Sequence, residues 1–371
     1  MRDITIFYDG SHYLYRWFKP MMQARKQFEE LGYKVHYHCL KQFLPIFKSG
    51  EQDNLNYVLK GSFDIVFLAF HHSTSQLCLC DSETRIATLK KIKEHCKTLV
   101  WCDTADSAGC GMFDVMPYVD VYFKKQVYKD KNLYLKHLYG SRLFCDYYYK
   151  QLQVEDEDLK KIDYPLLDER YVNKIQVSWN VGLADLFIKG YKLLLHPFGV
   201  ALPNFVVPDS PIKDLDLHFR GSGWSPIAGY QRAKCKELVN KLDSVSHPDV
   251  NSQIPYKEYI AEIKRAKAVL SPFGWGEICG RDFEALAYGA TLIKPSMEHC
   301  DTYPNWYQEG QTYVSLKWDF SNFDEIIQAL GSEKFMEIAK NGFAMFKYYK
   351  TSLEARKEFA KHIIKGINLE Q

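Results

Sequence analysis

The stretch SPFGWGEICGRDFEALAYGATLIKP, residues 271–295, limits what this chain can fold into more than any other. The AKAVL run at 266–270 just before it has the character of a strand, and Gly274 and Gly276 permit a tight backbone turn. Residues 281–288 have helical spacing, Gly289 is a helix stop, and 290–293 reads as the next strand. A strand, loop, helix, strand succession is the repeating unit of a parallel α/β sheet. Its helix turns free N–H groups and a positive dipole end toward the carboxyl edge of the sheet, where a diphosphate would sit. Arg281 adds a bidentate guanidinium for the same phosphates. Glu284 lies three residues along on the same face, where a carboxylate can accept from ribose hydroxyls.

The first half of the chain repeats this alternation. Residues 4–8, 34–38, 64–70, 98–103 and 119–123 are strand candidates, and 15–32, 40–48 and 82–95 carry helical periodicity, which together predict an open Rossmann-type sheet. Residues 124–176 are irregular and rich in Tyr, Lys and Asp, and are expected to form an extended edge or cap. Prolines at 197, 203, 208 and 211 break regular structure and suit a linker. A second α/β unit follows, with a strand at 215–221 and helices at 228–242 and 256–266. A helical tail runs through 325–330, 334–346 and 353–366.

At 371 residues two hydrophobic cores are the natural expectation. A net charge of +2 argues against a dedicated nucleic-acid binder, which needs a strong basic field. The 26 Tyr and 23 Phe exceed what a core requires and would suit a surface that stacks on sugars or touches a membrane. Ten cysteines without a CxxC pair read as reduced thiols of a cytoplasmic protein, and no His/Cys cluster has structural-zinc spacing, so no metal is expected. The amino terminus opens on a strand pattern instead of a signal peptide, and no apolar run is long enough to span a bilayer. Any membrane contact is then peripheral, at the inner face.

GWGEICGRDFEALAYGATLIKP resembles the donor-binding segment of GT-B glycosyltransferases, in which a Gly-rich loop, an acidic pair and a helix-to-strand passage hold a nucleotide sugar. The match runs from Ser271 through the PNWY segment at 304–307. The group-1 pattern spaces its two glutamates one residue further apart than Glu277 and Glu284, and the R-x-x-E-A-L run is nearer exostosin-like enzymes. The resemblance implies an α/β fold of two Rossmann-like domains facing across a cleft, the GT-B architecture. Residues 1–195 would bind the acceptor, 196–350 the nucleotide sugar, and a final helix in 351–371 would cross back to the first domain.

It also implies roles. Arg220, beside Gly221 in HFRGSGW, resembles the basic phosphate-binding residue of such donors and would join Arg281 in neutralising the departing nucleoside diphosphate. Gly274 and Gly276 would line the donor, Glu277 would contact the sugar, Glu284 the ribose, and Lys294, at the end of a strand, is a further candidate that strand-end lysines usually leave solvated. Transfer needs a base at the acceptor hydroxyl or a retaining geometry assisted by the phosphate. Asp103, His71 and Asp9, in that order, occupy the carboxyl ends of first-domain strands, with His72 and Asp106 beside them. The paired aspartates of DTAD also suit Mg²⁺, but their spacing and domain differ from a D-x-D site, and metal-independent transfer without a cofactor is expected.

The expected activity is therefore transfer of a sugar from a nucleotide-diphosphate donor to a glycan or glycolipid acceptor, in surface polysaccharide or lipopolysaccharide synthesis. Two other classes share the same residues: a sugar-nucleotide epimerase, which needs no acceptor, and a non-catalytic nucleotide- or glycan-binding module. YDGSHY lacks the G-x-G-x-x-G spacing of a dinucleotide site.

Overall fold

The computed structural model describes residues 1–8, 12–39, 57–71, 75–160, 164–184, 212–221 and 225–368. The expected helix at 40–48, the proline-rich linker and the 195/196 domain boundary lie outside these residues.

Five strands run as the alternation predicts: β1 (Arg2–Tyr8), β2 (Tyr33–Cys39), β3 (Phe63–Ala69), β4 (Cys96–Asp103) and β5 (Val121–Lys124). The last five residues of β1, β3 and β4 are buried without alternation, the signature of strands covered on both faces of a parallel sheet. In register, Ile4 lies between Val35 and Ile65, and Phe67 beside Val100. The span at 124–176 contributes more than an edge. It holds β6 (Gln126–Tyr128), the helix Leu143–Leu152 and β7 (Ile175–Val177), the last completing an all-parallel sheet of order β2-β1-β3-β4-β5-β7. Strand order reverses between β1 and β3, and in a doubly wound sheet the ligand crevice opens at the carboxyl ends flanking that reversal.

The second lobe is a parallel sheet of order β12-β10-β9-β8, built from β8 (Leu215–His218), β9 (Ala266–Leu270), β10 (Thr291–Pro295) and β12 (Val314–Leu316). The helices Tyr230–Val239 and Tyr256–Arg265 precede β9, and Gly280–Ala287 joins β9 to β10. The latter ends on Gly289 at φ 62°, as a helix stop requires. β11 (Cys300–Thr302) leaves the second lobe to pair antiparallel with β6 of the first.

Aromatic packing closes the chain on itself. Trp17 and Trp179 stack at 4.5 Å, and each indole N–H donates to the other's backbone carbonyl, so two large apolar groups are buried with no polar atom stranded. Phe359, on the last helix Leu353–Ile367, sets its edge against Trp179 and Phe28, and His362 Nε2 lies 2.8 Å from the Val177 carbonyl. That helix therefore lies on the first sheet after the helix Glu333–Thr351 has packed on the second, with Ser352 capping the turn between them. The two Rossmann-like sheets thus face each other through the carboxyl ends of their strands across a cleft. Among the described residues no helix is long and apolar enough to cross a membrane.

Candidate active site

The lobes touch where the loop after β4 meets the loop after β9. A Cβ on Gly276 would stand 1.9 Å from the Asp106 backbone oxygen, so only glycine lets the two main chains approach this closely. Neither Gly274 nor Gly276 has a positive φ. The chain does turn tightly here, bending through 274–277 with the Gly274 N–H on the Gly276 carbonyl, but what requires glycine is close approach. Gly274 makes room for the Arg232 guanidinium, 2.6 Å from where a Cβ would sit, and Gly221 for the Phe219 ring. Glu277 follows directly and is fully buried. It accepts from Ser107 Oγ at 2.9 Å, the Ala108 N–H at 2.9 Å and Gln126 Nε2 at 3.2 Å, all from the first lobe. Its carboxylate, expected against the sugar, ties the lobes together.

Arg281 and Glu284 share a face of the helix Gly280–Ala287, as their spacing requires. Arg281 Nη2 donates to the Arg220 carbonyl and Nη1 reaches the Leu270 carbonyl at 3.5 Å, while its buried Nε has no hydrogen-bond partner. Glu284 accepts from the hydroxyls of Tyr256 at 3.1 Å and Tyr259 at 2.8 Å. A carboxylate offers about four acceptor sites, so two remain for a ligand. Burial, then the Glu284 charge, pushes the Tyr256 hydroxyl well up and keeps it a donor. Tyr259 is raised by burial too, against the opposing pull of Arg281.

Arg220 lies beside this cluster, but its guanidinium is engaged elsewhere. Nε and Nη2 grip Glu262 in a fork at 2.6 and 2.7 Å, and Nη1 donates to the carbonyls of Asp249 and Ser252. The expected phosphate contact is replaced by a clamp that holds the end of β8 to the helix Tyr256–Arg265, leaving the Arg220 carbonyl to orient Arg281. Buried His218 packs under the clamp with Nε2 3.2 Å from Glu262 Oε2. Burial, reinforced by the positive charge of Arg281, lowers its pKa to about 4.

Lys294 departs furthest from expectation. It is completely buried instead of solvated, its Nζ 3.0 Å from Asp282 Oδ2 and 5.0 Å above the Phe273 ring. Asp282 also accepts from Ser271 Oγ, from Tyr307 OH at 2.7 Å and from the Cys279 N–H that opens the helix. This ion pair staples β10 to the helix start. Trp306 and Tyr307 are core residues, whereas Trp275 is 42% exposed at the lobe junction, with the Arg142 guanidinium 5.6 Å from its ring.

In the first lobe, Asp103 is closed off. Its carboxylate takes Lys124 Nζ at 2.5 Å, Tyr122 OH at 3.0 Å and the Ala105 N–H at 2.8 Å, with 2% of the side chain exposed. Buried in this way, it is a structural anion out of reach of a substrate. Asp106 is the exposed carboxylate of the same DTAD run: it sits against the Gly276 loop, 3.0 Å from Lys125 Nζ. His71 stands at the carboxyl end of β3, on the crevice side of the sheet reversal, and Asp9 lies outside the described residues.

Four residues near the cluster escape a linear reading. Arg232 donates to the Phe273 carbonyl at 3.1 Å, and burial lowers its pKa with Arg281 adding to the effect, which sets two guanidinium groups near the start of the same helix. Tyr256 and Tyr259 could have been noticed as an i, i+3 pair on an amphipathic helix. Arg232 carries no motif. Arg16, from the first lobe, is close enough to Tyr256 to act on its titration.

Two α/β lobes thus meet with cations and a hydrogen-bonding carboxylate gathered at the carboxyl edge of the second. No family model matches the chain, and no curated protein matches it. Among solved structures it is similar to Anabaena HepE in complex with UDP-glucose, with 9% identity over 98% of this chain and 99% of that one and a TM-score of 0.46. An α-glucosyltransferase in complex with UDP is 13% identical over 98% and 100% at a TM-score of 0.40. The lipopolysaccharide outer core galactosyltransferase WaaB is 11% identical over 98% and 99% at 0.43. These likenesses are loose, and the chemistry of the site stands on its own residues.

Proposed function

We propose that this protein is a glycosyltransferase that moves a sugar from a nucleoside-diphosphate donor to a hydroxyl of a glycan or glycolipid acceptor in surface polysaccharide or lipopolysaccharide synthesis. The observation that carries the reading is the grouping of Arg281, Arg232 and the tyrosine-held Glu284 around the helix Gly280–Ala287. Two cations and a helix N-terminus suit a diphosphate, and a carboxylate with acceptor capacity left suits ribose hydroxyls. Arg281 has a buried N–H without a partner, and a phosphate oxygen would satisfy it.

In the reaction the acceptor oxygen forms a bond to the anomeric carbon while the bond from that carbon to the phosphate oxygen breaks, and the electron pair leaves with the nucleoside diphosphate. Arg281 and Arg232 stabilise the growing negative charge, which usually supplies the largest share of such catalysis. The acceptor proton goes to a first-lobe group, Asp106 or His71, or to the donor phosphate in a retaining geometry. Glu277 holds the lobes at the spacing this requires, and Arg220 orients Arg281 through its carbonyl. No cofactor or metal enters these steps.

Nucleoside diphosphates and their sugars should raise the melting temperature of the protein, since a ligand bound only to the folded state stabilises it by mass action. Glu284→Gln and Arg281→Lys should each weaken the best ligand by roughly tenfold or more, as expected when a charge-assisted hydrogen bond is lost. Equal affinity in the wild type and both variants would remove the donor assignment. Sugar transfer to an acceptor, as opposed to turnover of donor alone, separates a transferase from an epimerase, and binding without turnover of either kind would leave a binding module.

A further inference from the structure

We infer that Glu277, His299 and Cys300 form a binding site for one divalent metal ion of zinc type at the junction of the lobes. One ligand atom from each lies within 4.8 Å of the other two. Bonds of about 2.0–2.3 Å bring tetrahedral donors to within about 4 Å of one another, so a small side-chain rotation closes this set on an ion. A carboxylate, an imidazole and a thiol make a mixed donor set of the kind zinc accepts and magnesium or calcium do not.

The state of these three groups leaves room for an ion between them. Glu277 is wholly buried and makes no ion pair among the described residues, the Arg142 guanidinium acting on it only through space, and a buried carboxylate not paired by contact is costly. His299 Nε2 is buried with no hydrogen-bond partner. Cys300 is buried with no disulfide, its sulfur available as a donor. A dication would neutralise the carboxylate and the thiolate together and satisfy the orphaned nitrogen. The hydrogen bonds Glu277 already accepts from Ser107, Ala108 and Gln126 are the outer contacts that orient a ligating carboxylate. Of the three, His299 lines an open groove, among Tyr147, Trp318, Glu298 and Asp319 and the cations Lys129 and Lys317, and an ion would enter past its ring.

The placement gives the ion a task. Glu277 belongs to the β9 loop and is bonded to the first lobe, and Cys300 begins β11, which pairs with β6. One ion would rivet the two crossings between lobes at the floor of the cleft. The inference is independent of the proposed reaction, since it concerns assembly of the cleft and not the ligand within it. Linear spacing conceals it because Glu277 and Cys300 lie 23 positions apart.

The test uses full-length protein stripped with a chelator and titrated with Co²⁺, then Zn²⁺. One equivalent of cobalt should produce a thiolate-to-cobalt charge-transfer band that zinc abolishes, and zinc should raise the melting temperature. Cys300→Ser should lose the band, His299→Ala should weaken binding by roughly tenfold or more, and Cys96→Ser, remote on β4, should leave the band unchanged. A wild type with no band, or a band that survives Cys300→Ser, overturns the site; the wild-type titration decides even where a variant does not fold.

Discussion

Acidification should destabilise this protein through His218 by an amount its surroundings allow to be calculated. The imidazole is buried between the Arg220–Glu262 clamp and Tyr259, and Arg281 adds positive charge nearby. A histidine in the unfolded chain takes a proton near 6.5, whereas folded His218 resists until about 4. Between those values the unfolded state binds more protons, so stability is whole above the upper value and is lost as the pH falls toward the lower one. Integrating between about pH 7 and about pH 5, the His218 share of the loss is about 2 kcal/mol. His218→Gln keeps an amide N–H for Glu262 but cannot titrate. His299 and His362, also lowered by burial, are present in both proteins and cancel in the difference. Urea unfolding of wild type and variant at the two pH values gives the number, and the wild type should lose about 2 kcal/mol more than the variant. Equal losses would show that His218 is protonated in the folded state or is not buried as described, and would undo the argument that the clamp is a closed, neutral-histidine structure.

Other changes test the packing of the site. Lys294→Met strands Asp282 in the core and should cost about 4 kcal/mol, and a change under 1 kcal/mol in urea unfolding would refute the buried pair. Gly276→Ala drives a Cβ into the Asp106 carbonyl and should destabilise by more than about 1 kcal/mol, with a larger radius in small-angle scattering as the lobes part. An unchanged melting temperature would deny the close approach. Asp106→Asn should lower the turnover rate while leaving donor affinity intact; an unaffected rate moves the acceptor base to His71 or to the donor phosphate.

Much of the scaffold can be read along the chain because parallel-sheet strands and their crossover helices leave short-range marks. The strand at 266–270 is observed at those residues, and the segments at 4–8, 34–38 and 64–70 match β1, β2 and β3 to within one or two residues. Helix 15–32 is the exception in detail: it is broken into three short helices, with Pro20 in the first turn of the second. The span at 124–176 resisted because its order comes from contacts, such as the Tyr148 hydroxyl on the Trp318 carbonyl and β7 on β5, that no local pattern announces.

The candidate site divides the same way. Spacing on one helix places Arg281 and Glu284 on a common face, because a helix of known pitch leaves no choice. Which arginine carries free valence and which is consumed depends on neighbours distant in the chain. Glu262 claims Arg220, Asp282 buries Lys294, and Lys124 closes Asp103, while Arg232 comes beside the start of the helix Gly280–Ala287 and Asp106 to the lobe junction. Local sequence determined the two parallel-sheet lobes and the helix Gly280–Ala287, since backbone propensity and apolar period act over a few residues. Only the tertiary structure decided which charges are spent on one another, because ion pairing and desolvation depend on distances through space that the order of residues does not contain.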